Sequence, residues 1–121
     1  MNSHTQMILS IVEITPSLRR NIHLLKTYAQ KQLDALNGKP IPEELRDQFR
    51  LAAKANVAQL RLFQALNSVS DPIIRALLIA RAGFGMPWEL MQFPDGGNAK
   101  AGVIAWLDEH GHELVFKNKE G

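Results

Sequence analysis

The sequence predicts a mainly α fold: a single-domain bundle of four to five helices around a long central helix, followed by a less regular C-terminal segment that could hold two short strands. Three observations predict it. Apolar residues recur at spacings of three and four through most of the first 82 positions. The same punctuation, a polar cap then proline then an apolar run, opens three of the segments. No breaker appears between Pro42 and Asn67-Ser68, which leaves room for one long helix.

Taken in order, Ser3-x-x-Gln6 has the form of a capping box, and Met7, Ile8, Ile11 and Val12 follow at helical spacing, giving a short helix over about 4–13. Thr15 then reads as the cap of a second helix, with Pro16 at its first position and a stop at Asn37-Gly38. Its apolar stripe is Leu18, Ile22, Leu25, Ala29, Leu33 and Leu36, widened by Leu24 and Tyr28. Lys39-Pro40-Ile41-Pro42 is a rigid connector, because prolines two apart forbid helix before Pro42. The third helix, 42–68, is the longest element at about 40 Å. It carries two stripes: Leu45, Phe49, Ala52, Asn56, Leu60, Phe63 and Leu66, and then Leu51, Ala55, Ala58, Leu62, Ala65 and Val69. Two stripes mean cover on more than one side.

Ser70 or Asp71 caps a fourth helix that starts at Pro72 and stops at Gly83. Trp88–Phe93, between two prolines, fits either one helical turn or a short strand. Asn98 caps a last helix to about His110, with Gly102 inside it costing about 1 kcal/mol relative to alanine. Glu113–Lys117 reads as a strand by composition. The organisation expected is one domain over 1–121, a helical bundle over 1–83 with 84–121 packed on it.

Composition excludes much chemistry. The 121 residues contain no cysteine, so disulfide scaffolds, thiolate catalysis and sulfur-bound zinc are out. No apolar run reaches the roughly 20 residues of a membrane span. The N-terminus does not read as a signal peptide, so no membrane partner and a cytoplasmic location are expected. Phosphate-loop and dinucleotide patterns are absent, and Gly83-Phe84-Gly85 is explained as a helix stop and turn. No Gly-x-Ser-x-Gly exists, and Glu13, Asp34 and Glu89 stand isolated in the sequence. No cofactor is expected. His110 and His112, inside Asp108-Glu109-His110-Gly111-His112-Glu113, are the only metal candidates, and they lack the i, i+4 spacing that places two ligands on one helical face.

Charge is uneven. Residues 1–69 hold nine Lys/Arg against five Asp/Glu, and residues 70–121 hold five against seven. Arg46, Arg50, Lys54 and Arg61 form a stripe on the third helix, and Arg19, Arg20 and Lys26 lead another on the second. Arg19 and Arg20 would lie at the positive end of their helix, where the dipole opposes them. Asn56 sits on an apolar stripe, as polar residues that set register between chains do. Trp88 is either an anchor of the C-terminal segment or, if exposed, a binding hot spot.

The expected function is therefore a non-enzymatic protein-interaction module, an adaptor, inhibitor or regulatory subunit that docks a helix face on a macromolecular partner. The alternative is a nucleic-acid-binding regulator using the basic stripes. A helix-turn-helix over 72–82 and the segment from Pro87 is a separate candidate and a poor reader of DNA, because Pro94 cuts its recognition helix short and that helix carries Glu89 but no Lys or Arg. A small metal-dependent enzyme is the third reading. A homodimer through the third helix stands beside a monomeric bundle.

Overall fold

The computed structural model describes residues 1–114 and is mainly α, with four α-helices and no strand among the described residues. Helix α1 spans Ser3–Ala35, α2 Glu43–Asn67, α3 Pro72–Phe84 and α4 Ala99–His110. Three-residue 3-10 turns occupy Trp88–Leu90 and Gly111–Glu113.

The largest departure from expectation is at Pro16. The two helices expected over 4–13 and 16–37 are one, and α1 continues through the proline. Thr15, expected as a cap, is buried within the helix and its hydroxyl donates to the Ile11 carbonyl at 2.6 Å. An interior proline costs on the order of 3 kcal/mol. The apolar spacing runs across it without a break, through Ile8, Val12, Thr15 and on to Ile22, and all four are buried. Packing of that stripe holds the backbone helical where local propensity would end it. The cap is Asn2 rather than Ser3: its side chain accepts from the Thr5 amide at 2.8 Å.

The connector between α1 and α2 turns through Asn37 (φ 51°) and Gly38 (φ 85°). Glu43 and Glu44 then stand in the first turn of α2, where the helix dipole favours them. Asp71 caps α3, accepting from Ile73 and Ile74 amides at 2.9 and 3.1 Å. Gly85 ends it in the left-handed conformation.

The chain groups into two compact units, residues 17–60 and residues 1–16 with 61–121. The second holds the main core. Ile8 and Val12 of α1, Leu62 and Leu66 at the end of α2, Val69 just after it, Ile74, Leu78 and Ala82 of α3, and Val103 and Leu107 of α4 are buried together. Ile8, Leu66, Leu78 and Leu107 are its largest fully enclosed side chains. The first unit is an αα-hairpin of residues 17–35 and 43–60, with a thinner interior: only Ile22, Ala29, Leu45 and Ala52 are buried apolar residues.

After α3 the chain does not form the strands considered. Trp88–Leu90 is a single 3-10 turn, and Gln92 pairs with Asn98 in one isolated antiparallel bridge. Glu113 closes another 3-10 turn, and 115–117 of the expected second strand lie outside the described residues. The Pro94–Gly97 turn folds the Phe93 ring onto Gly102 of α4. A Cβ on Gly102 would stand 1.9 Å from Phe93 Cε2 and 2.4 Å from Cζ. This glycine is a packing requirement, which the 1 kcal/mol propensity argument does not capture.

Gly102→Ala is accordingly expected to destabilise the protein by about 1–3 kcal/mol, the usual range for overpacking, despite the higher helix propensity of alanine. Urea denaturation followed by far-UV circular dichroism measures it. Unchanged or increased stability would show that Phe93 can move aside at no cost.

Candidate interaction surface

The hairpin collects most of the basic residues. Residues 17–60 contain eight Lys/Arg against four Asp/Glu, while the remainder of the chain contains six against eight. The charge asymmetry read along the sequence thus follows the structural units. Arg19, Arg20 and Lys26 are exposed on α1, and Arg46, Arg50 and Lys54 are exposed on α2. Arg50 donates to Asp47 at 3.2 Å, an exposed i, i+3 pair that contributes little. Arg61 is half-buried and belongs to the other unit, so the basic stripe of the hairpin ends at Lys54. Arg19 and Arg20 lie well inside α1 because that helix begins at Ser3. The opposition of a helix dipole, expected for them, does not apply.

Helix geometry sorts the hairpin residues onto two sides. At about 100° per residue, Arg46, Arg50, Val57 and Leu60 lie on one flank of the α2 seam and Leu51, Ala55 and Ala58 on the other. On α1, Arg19, His23 and Lys26 lie on one flank and Asn21, Leu25 and Tyr28 on the other. The two helices run antiparallel, so flanks of the same rotational sense face the same way. The cleft near the hairpin tip shows this directly, being lined by Tyr28 and Gln32 of α1 and by Glu44 and Gln48 of α2. One side of the hairpin is therefore basic, with Val57 (45% exposed) and Leu60 (63%) among the cations. The other side carries no Lys or Arg, and its charges are carboxylates, Glu44 in the cleft with Asp47 at the margin. Asn56 is half-buried near the seam, with the Gln59 Nε2 and Gln48 Oε1 atoms buried and without hydrogen-bond partners.

Trp88 is in the other unit and half-buried. Its indole Nε1 donates to Glu13 Oε1 at 2.6 Å. Glu13 Oε2 accepts from Arg81 Nε at 3.1 Å and also from Nη2. Arg81 Nη1 in turn donates to the carbonyls of Gly85 (3.3 Å) and Met86 (3.1 Å), and the guanidinium lies 5.9 Å from the Trp88 ring centroid. Sequence isolation misled here: Glu13 is 68 residues from Arg81, and Arg81 was not singled out at all. The only signal available was an acid placed beside Val12 on a helix rich in apolar residues. Both carboxylate oxygens are occupied by donors, so Glu13 acts as a tether and not as an acid-base group. The Arg81 hydrogen bonds hold its carboxyl below the usual carboxylate range against the effect of burial, helped by Trp88 and by the charges of Arg81 and Lys100. The guanidinium is correspondingly raised.

His110 stands 3.7 Å from Glu113 and stacks obliquely on Trp106, and the exposed His112 does not join them. No group of three or more His, Asp or Glu side chains among the described residues is arranged to hold a metal ion. No second helix follows α3 at the position a helix-turn-helix requires, since 88–90 is one 3-10 turn. Among the described residues no helix is long and apolar enough to cross a membrane. Comparison of the chain with protein-family models, curated proteins and solved structures finds no match.

The Glu13 carboxyl sets a pH dependence. Its folded value is lowered, so its contribution to stability is complete above the unfolded value and is lost as pH falls through the folded one. The urea midpoint of the wild type is expected to fall on acidification below about pH 4.5 more steeply than that of Glu13→Gln, which is less stable at pH 7. Parallel acid limbs in the two proteins would remove Glu13 from this role.

Proposed function

We propose that the protein is a non-enzymatic interaction module that docks the basic side of its αα-hairpin on an acidic surface of a protein partner. One observation carries this reading: the positive charge is concentrated in the hairpin, and its exposed cations are interleaved with exposed large apolar side chains, Val57 and Leu60. A solvated charged face needs no such residues. A protein interface uses them as apolar contacts within a ring of charge that steers approach and selects the partner. Nucleic-acid binding by the same stripe is the competing reading. It is less favoured because Val57 and Leu60, exposed among the cations, have no role in contacts to phosphate.

The test is capture of partners from an extract of the native cells on the immobilised protein, followed by titration of the purified partner. The triple variant Arg46→Glu, Arg50→Glu, Lys54→Glu should weaken the purified complex by about tenfold or more, chiefly through the association rate. Capture should survive nuclease treatment. Binding abolished by nuclease would transfer the function to nucleic acid, and equal affinity of the variant would remove the basic side from the interface.

A further inference from the structure

We infer that the side of the hairpin without Lys or Arg, opposite the basic one, is occupied by a second copy of this chain, so that two hairpins form a four-helix bundle. The inference concerns a different surface from the proposed partner site and does not depend on that reading.

Four observations support the choice of occupant. The hairpin interior is thin, with Ile22, Ala29, Leu45 and Ala52 its only buried apolar residues, and two helices alone enclose little surface. Pairing two αα-hairpins face to face is the simplest way to give such helices a shared core. The face itself suits a copy of itself. Leu51 (62% exposed) and Tyr28 (54%) can pack opposite the small residues Ala55 and Ala58, which let backbones approach closely. Asn21, exposed, and Gln48, half-buried, add neutral polar side chains to the same face. Finally, the charges are compatible. The face carries no Lys or Arg, and its carboxylates, Glu44 with Asp47 at the margin, lie at the hairpin tip. Stacking it on its twin turns both basic sides outward, whereas stacking the basic sides would set like charges together.

The area is sufficient and no more. Helices roughly 10 Å apart and about five turns long at about 1.5 Å per residue give a footprint of roughly 20 by 27 Å per copy. The pair would then cover about 1,000 Å², the low edge of specific interfaces. Self-association is reversible and depends on concentration.

Sedimentation equilibrium of the full chain, from about 10 µM to about 500 µM to span the weak affinity such an area implies, provides the test. The wild type is expected to move from 13.6 kDa towards twice that mass. Leu51→Glu with Ala58→Glu, both at exposed positions, should stay at the monomer mass with an unchanged helical circular dichroism spectrum. Val57→Glu with Leu60→Glu, on the basic side, should dimerise like the wild type. A wild type that remains at 13.6 kDa throughout overturns the inference without reference to any variant. Equal dissociation by the two double variants would overturn the assignment of the face.

Discussion

The Glu13 carboxylate joins three parts of the chain that lie far apart in sequence. It accepts from Arg81 on α3 and from the Trp88 indole in the following turn, while α1 carries it beside the buried Val12. Arg81 then uses its remaining donor on the Gly85 and Met86 carbonyls, the groups freed where α3 ends in a left-handed glycine. A partly buried charge is costly unless paired, so the acid, the guanidinium and the turn must be assembled together or not at all. The loop from Phe84 to Leu90 has its course set by this node. Phe84 and Leu90 remain exposed at its two ends, which leaves the polar tether and the buried Met91 to hold the segment.

The same economy explains why α1 does not break at Pro16. Its buried positions keep helical spacing on both sides of the proline, and a break would turn either Val12 or Ile22 out of register. A single continuous helix therefore serves both compact units. The consequence for function is that α1 and α2 each have two roles along their length. Near residues 1–16 and 61–67 they are core elements of one unit, and over 17–60 they form a hairpin with two chemically different sides. The second apolar stripe of α2 illustrates the division: Leu62, Ala65 and Val69 are buried in the core, while Leu51 and Ala58 of the same stripe are exposed.

The helical class and most boundaries were legible because caps and stops act locally. Asp71, Asn98 and the Asn37-Gly38 turn do what their side chains and backbone freedom allow wherever they occur. Burial of the first α2 stripe at Leu45, Ala52 and Leu66 followed from spacing alone, whereas Leu60 of the same stripe is exposed. The basic residues of the hairpin were also legible as stripes, since helical periodicity places them. Trp88 was recognised as large and apolar, but its bond to Glu13 spans 75 positions, and no local pattern encodes a separation of that length.

What the sequence by itself determined is the set of short-range choices: where helices can start, which residues share a face, and which chemistries lack the necessary atoms. The tertiary structure alone decided that Pro16 lies inside a helix, that Gly102 is required by the Phe93 ring, that Glu13 is paired, and that the hairpin has one basic side and one without Lys or Arg. The physical reason is common to all four. Each is settled by contact between segments distant in the chain, and such contacts can outweigh local preferences of about 1–3 kcal/mol once the core has brought the segments together.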